Sequence, residues 1–238
     1  MSIWFRLGEL FSRASPSGFG ALDVIESVRT FFEGDPQLRR KVSFSIAMIA
    51  LSAKMAKADG VVTQDEIRAF QQIFAVPASE TRNVARLYDL AKQDIAGYEA
   101  YAERMARLCG SGRENCAMLG DILDGLFHIA KADGTLHERE GDFLRRIAGI
   151  FRIDDARYES MLARHVDLGA ADPYVVLGIE RGLPFKEVRR RYHRLVAESH
   201  PDRMIARGVP EEFISIATTR LAAINAAYES IERGLRAA

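Results

Sequence analysis

The stretch Pro184-Phe185-Lys186-Glu187-Val188-Arg189-Arg190-Arg191-Tyr192-His193-Arg194-Leu195-Val196-Ala197-Glu198-Ser199-His200-Pro201-Asp202 decides how the C-terminal part of the chain folds. Pro184 suits the first helical position, where its missing N–H is no loss. Phe185, Val188, Tyr192, Leu195 and Val196 recur at three- and four-residue spacing and predict a helix with one apolar face. The rest of its surface carries Lys186, Arg189, Arg190, Arg191, His193 and Arg194, a strongly positive field. Pro201 cannot continue the helix and pushes the residue before it out of helical backbone angles. A second helix is expected from near Pro210, with Glu211 and Glu212 complementing the positive end of its dipole. Its apolar positions, Phe213, Ala217, Leu221, Ile224, Tyr228 and Ile231, fall on one face. The two helices are expected to pack as an antiparallel pair, with His200, Pro201 and Asp202 at the tip of their connection.

Upstream, from about Ala21 to His165, the periodicity is helical throughout. Leu38, Val42, Ile46, Ile49, Ala53 and Ala56 mark a long buried helix, and Ile67, Phe70 and Phe74 the next. Val84, Leu87, Tyr88 and Leu90 mark another, residues 94–108 a further one, and Leu119, Ile122, Leu123, Leu126 and Ile129 one more. Asp154 to His165 closes the region, and His165 is expected to favour the helix dipole there. No alternation of strand type competes, so the fold class is all-α. The organisation reads as an amphipathic segment and linker over 1–20, an all-α domain over 21–166, and a helical-hairpin module over 167–238.

The upstream domain repeats itself. Ala56-Lys57-Ala58-Asp59-Gly60-Val61-Val62-Thr63-Gln64-Asp65-Glu66 returns as Ala130-Lys131-Ala132-Asp133-Gly134-Thr135-Leu136-His137-Glu138-Arg139-Glu140. Asp-Gly followed by Glu matches the second half of a calcium-binding EF-hand loop, but Met55, Lys57, Ile129 and Lys131 supply no oxygen where the first half needs it. A divalent-metal site shared between the turns, using Asp59, Glu66, Asp133 and Glu140, is one reading. The competing one is capping: Gly60 and Gly134 suit left-handed helix C-caps, and Thr63 to Glu66 form a capping box. His137 is a poor capping residue, which leaves the second turn less well explained.

The 238 residues balance 33 Lys and Arg against 33 Asp and Glu, which argues against a general polyanion binder. Cys109 and Cys116 match no familiar metal spacing and are expected to be buried free thiols in a reducing compartment. No signal peptide and no bilayer-spanning apolar run is read, so the expected location is cytoplasmic or peripheral to the inner membrane. Residues 1–13, with Ile3, Trp4, Phe5, Leu7, Leu10 and Phe11, offer a short interfacial helix for such a contact.

Asp172-Pro173-Tyr174-Val175-Val176-Leu177-Gly178-Ile179, the basic helix, His200-Pro201-Asp202, and Ile224-Asn225-Ala226-Ala227-Tyr228 follow one another in order. Over this span the chain resembles the J domain of DnaJ-type co-chaperones. The repeated Asp-Gly turns are similar to those of TerB-like tellurite-resistance domains, and the order of the two resembles the DjlA-like variety of co-chaperone. The resemblance implies a non-enzymatic protein that docks on a DnaK-type chaperone and stimulates its ATP hydrolysis, with the TerB-like domain regulating or localising it. It assigns His200, Pro201 and Asp202 to the required loop, and Arg189, Tyr192, Arg194 and Arg203 to docking. His193 stands where that family often has lysine. No cofactor is required by it, and client proteins are implied without being identified. The alternative is a nucleic-acid-binding protein using the basic helix 184–199, since arginines neutralise phosphates. Balanced charge, Glu187 and Glu198 within the helix, and the lack of stacking aromatics beside the arginines weigh against it.

Overall fold

The computed structural model describes residues 35–59, 81–93, 97–107, 114–131, 134–165 and 171–237, and among these all regular structure is helical. The expectations for residues 1–20, for the helix marked by Ile67, Phe70 and Phe74, and for the Thr63 to Glu66 capping box lie outside the described residues.

Helix α1 (Pro36–Asp59) is the axis of the upstream domain. Asp35 starts it, its carboxylate accepting the Leu38 N–H at 2.9 Å. From Val42 to Ala56 every position is buried, so the helix is enclosed on all sides. Its small and hydroxylated residues allow this, as Ser45 and Ser52 return their hydroxyls to the Lys41 and Met48 carbonyls. Around it lie α2 (Thr81–Gln93), α3 (Tyr98–Ala106), α4 (Ala117–Ala130) and α5 (Glu138–Ile150), followed by α6 (Asp155–His165). The apolar residues that predicted α4 are all buried. Helix α3 is shorter than the expected 94–108.

The C-terminal region begins with α7 (Pro173–Leu177). Asp172 caps it by accepting the Tyr174 N–H at 3.0 Å, Pro173 opens it, and Gly178, at φ 60°, closes it in a left-handed conformation that glycine tolerates best. Helix α8 (Phe185–Ser199) ends where predicted but starts one residue later, with Pro184 as its N-cap rather than its first helical residue. The expected simple connection after it is corrected. Pro201 also opens a further helix, α9 (Pro201–Arg207), because proline disfavours only positions whose N–H is needed. The predicted start near Pro210 is corrected too: Glu211–Phe213 form a single 3-10 turn, and α10 runs over Ile214–Ala237.

Two hydrophobic clusters organise these helices. The larger gathers the cores of α1 to α6 but also takes in Met204, Val209, Phe213, Ile216 and Ala217. The smaller joins Val176, Leu177, Val188, Leu195, Ile224, Ala227 and Ile231. The stripe read as one face of α10 is therefore divided between two cores. Phe213 meets Phe44 of α1 edge to face at 4.8 Å, while Ile224 and Ile231 pack under α7 and α8. Gly125 of α4 allows a close approach of three helices: a Cβ there would lie 2.7 Å from Met48 and 3.0 Å from Ile216. The expected boundary at 166/167 lies outside the described residues, and the apolar cores on either side of it meet along α9 and the start of α10.

Cys116 is disulfide-bonded, which corrects the expectation of a free thiol. Cys109 itself lies outside the described residues.

Candidate functional site

His200 stands at the corner where α8 ends and α9 begins, serving as C-cap of one and N-cap of the other. Its Nδ1 accepts the Asp202 backbone N–H at 3.2 Å. That bond needs Nδ1 unprotonated, so it selects the tautomer that carries its proton on Nε2 and leaves this donor for another partner. The Asp202 carboxylate lies 3.6 Å from the same Nδ1, and the two side chains are 55% and 85% exposed. The histidine thus has a local capping role and still presents its ring at the surface. Arg203 is exposed beside it.

What holds this corner is the opposite face of α9. Met204 is fully buried in the larger cluster, and Gly208, at φ 100°, brings the helix end so close to α1 that a Cβ would lie 2.5 Å from that of Arg40. Arg207 donates through Nε and Nη2 to Asp121 Oδ2 at 3.0 and 2.8 Å, and through Nη1 to the Glu198 carbonyl at 3.0 Å. The corner is fixed from behind by apolar packing and by an ion pair to α4.

That ion pair belongs to a larger buried network. Arg220 of α10 donates to Asp121 Oδ1 at 2.8 Å and to Asp124 Oδ2 at 2.7 Å. Asp124 Oδ1 also meets Arg164 at 3.4 Å and His165 Nε2 at 3.2 Å. Burial alone would raise the Asp124 carboxyl, but Arg220, Arg164 and His165 hold it well below the usual carboxylate range. Burial works against the Arg220 charge as well, and the two aspartates reverse that and raise its pKa. His165, expected only to favour a helix dipole, is a buried partner of Asp124 stacked on Phe127 at 5.3 Å. The sequence reading did not anticipate this network. Its signal was present in Asp121 and Asp124, acids three residues apart inside the apolar run of α4, where a charge must find a partner.

Along α8, Arg189 is exposed and Tyr192 half-buried. Tyr192 stacks on Tyr228 at 4.1 Å and donates its hydroxyl to Asn225 Oδ1 at 3.1 Å, so it also joins α8 to α10. At about 100° per residue, Arg189, Tyr192 and the His200 corner share one side of the helix, while Arg194 lies about 140° from Arg189. Arg194 lines a cavity together with Arg191 and Arg157. Arg189, Tyr192 and His200 therefore fall on one side of α8, half-buried Pro201 and exposed Asp202 and Arg203 follow in the first turn of α9, and Arg194 is directed elsewhere.

Of the acids proposed for a metal, Glu140 alone has a described side chain. It is buried, and its Oε2 accepts the His137 N–H at 3.0 Å, which is the capping role. The poor capping expected at His137 is corrected to this extent: the glutamate completes the helix start. The Asp59 side chain, Glu66 and Asp133 lie outside what is described. Among the described residues no group of three or more metal-ligating side chains converges.

The fold, an all-α domain running from α1 to α6 with a helical module docked on it, is the setting for the comparisons with known proteins. The model of the family Tellurite resistance protein TerB matches residues 45–163, half of the chain, and the chain belongs to that family. Relatives extend the likeness beyond the matched half. Co-chaperone protein DjlA of Photobacterium profundum is 29% identical over 226 residues, covering 82% of this chain and 78% of the relative. The proteins of the same name from Coxiella burnetii and Shewanella oneidensis are 28% and 26% identical, covering 75% and 97% of this chain and 73% and 90% of the relatives. These matches bear out the DjlA-like, TerB-containing resemblance. No solved structure matches. No helix among the described residues is long and apolar enough to cross a membrane.

Proposed function

We propose that this chain is a co-chaperone whose residues 171–237 act as a J domain, docking on a DnaK-type chaperone and stimulating its ATP hydrolysis. The observation that carries this reading is the exposed His200-Pro201-Asp202 corner, fixed from behind by Met204 and Arg207. A group that must act on a partner has to be accessible and must not be free to wander. Arg189 and Arg203 are exposed and add always-charged donors, suited to carboxylates of the partner and to steering its approach. The relatives named co-chaperone support the same role. No chemistry takes place on this chain; it favours one conformation of the partner by binding it better. The TerB domain, through α4, sets the orientation in which the corner is presented.

The basic helix is less suited to nucleic acid than its composition suggests, because its cations face different ways. Arg190 pairs with Glu187 at 2.6 Å, and Arg191 and Arg194 line the cavity. The cytoplasmic expectation loses the support it took from free thiols, because Cys116 is disulfide-bonded.

The test is single-turnover ATP hydrolysis by a DnaK-type chaperone, with the wild-type chain and with His200→Gln. Stimulation by the wild type and none by the variant is the expected result, with both proteins folded by circular dichroism. Equal stimulation by both removes the role assigned to His200.

A further inference from the structure

Between α6, α8 and α10 lies a cavity of about 520 Å³, within the range of small-molecule sites. Its wall carries Arg157, Arg164, Arg191, Arg194, Arg207 and Arg220, against the carboxylates Asp121, Asp154 and Glu198. The carboxylates are unevenly committed. Asp121 is taken by Arg207 and Arg220, and Asp154 accepts from Asn115 Nδ2 at 2.6 Å and from the Arg157 backbone N–H at 2.7 Å.

Arg157, Arg191 and Arg194 have no carboxylate partner among the described residues. Two of them are nonetheless held in place. Arg157 donates through Nη1 to the Asn115 carbonyl at 2.7 Å, and Arg191 through Nε to the Leu177 carbonyl at 3.0 Å. A carbonyl orients a guanidinium without neutralising it, so these bonds fix two cationic forks and leave their charge unspent. Burial lowers the pKa of both and outweighs the pull of nearby carboxylates, Asp121, Glu198 and Asp154 on Arg157 and Glu198 on Arg191, none of which forms an ion pair with either guanidinium among the described residues. A separate sign comes from Arg164 on the same wall, whose buried Nε has no hydrogen-bond partner. Gly120 bears on the position of Arg157, since a Cβ there would lie 2.7 Å from its Nη2.

We infer that this cavity is a binding site for a small anion carrying vicinal phosphates, of the pyrophosphate class, gripped by Arg157, Arg191 and Arg194. Planar guanidinium forks match phosphate oxygens two at a time, and forks from two different helices suit two linked phosphates better than one. Among the described residues the lining contains no aromatic side chain, and its apolar members are the small or aliphatic Ala117, Ala156, Leu195 and Ile224. There is accordingly no platform for stacking a base, and recognition falls on the phosphates. Such a ligand bridges α6 of the TerB domain to α8 of the C-terminal module, so its binding stabilises their docked arrangement. The inference does not depend on the co-chaperone reading, and it is tested with no chaperone present.

The experiment is isothermal titration of the full chain with sodium pyrophosphate near physiological salt, with orthophosphate and ADP as parallel ligands. One-site binding of pyrophosphate, tighter than orthophosphate, is expected. Arg191→Gln should weaken it about tenfold or more, the loss of one charge-assisted contact. Arg194→Gln, at an exposed position with no bond to lose, should weaken it in the same direction and serves if Arg191→Gln does not fold. Arg236→Gln, an exposed cation paired with Glu232 near the far end of α10, should change nothing. ADP binding as well as pyrophosphate assigns the diphosphate group whatever carries it, and weaker ADP binding assigns the free anion. No binding of pyrophosphate at millimolar concentration, ADP binding without pyrophosphate, or equal weakening by Arg236→Gln overturns the inference.

Discussion

Two histidine–aspartate pairs stand on either side of the junction between the modules, and they differ in little but exposure. His200 and Asp202 lie 3.6 Å apart with side chains 55% and 85% exposed; His165 and Asp124 lie 3.2 Å apart with 9% and 1% exposed. The exposed pair is solvated, screened and energetically light, so its groups remain available to another molecule. The buried pair has given up water and needs Arg164 and Arg220 around it to do so. Function and architecture are drawn here from the same residue types, and burial decides between them.

The largest effect expected from breaking this contrast is at the buried pair. Asp124→Ala leaves Arg220 and Arg164 buried without their shared carboxylate, and removing one partner of such a network costs about 3–5 kcal/mol. Urea unfolding checks it, and a loss under about 1 kcal/mol shows that the network is not structural. Next comes Gly125→Ala, which pushes a methyl against the flexible ends of Met48 and Ile216 where three helices meet. Overpacking, partly offset by the better helix propensity of alanine, should leave a net cost of about 1 kcal/mol, read in the same unfolding curves.

Acid sharpens the contrast by titration. Because the Asp124 carboxyl is held well below its ordinary value of 3.8, the unfolded chain binds protons that the folded chain refuses. The stability it contributes is complete above the unfolded value and is lost as pH falls through the folded one. Melting temperature should therefore decline below about pH 4, and Asp124→Ala should flatten that decline. The smallest effect on stability is expected at the exposed pair. Asp202→Ala should alter unfolding free energy by about 0.5 kcal/mol or less while abolishing ATPase stimulation. A loss as large as that of Asp124→Ala would make the outer pair structural as well.

Much of this was legible in the chain. The long apolar periods of α1 and α4 and the apolar face of α8 follow from side-chain spacing alone, because an enclosed helix and a one-faced helix each leave a period of their own, while Pro184 and Pro201 mark the limits of α8. Helix α9 was harder, since Pro201 reads first as a stop. Proline at the first helical position and Gly208 after Arg207 are also the signals of a short helix with both ends marked. The division of α10 between two cores was not legible: Phe213 and Ile231 fit a single stripe, and only the surrounding helices decide which core each end enters. Nor were the pairings of Asp121 and Asp124 with Arg207 and Arg220, which join residues 86 to 99 positions apart. A sequence can show that a buried acid needs a cation, but the choice among 33 lysines and arginines belongs to the tertiary fold.

Helix α10 and the turn before it, rooted by Phe213, Ile216 and Ala217 in one core and by Ile224, Ala227 and Ile231 in the other, make the C-terminal module a poor cassette. Cut out and grafted to another carrier, it would bring along a sticky heel of aromatic and aliphatic side chains shaped for α1 and α4. The donor left behind would have an open socket beside Phe44. Any chimera that keeps the module's geometry must therefore transplant the socket with the heel.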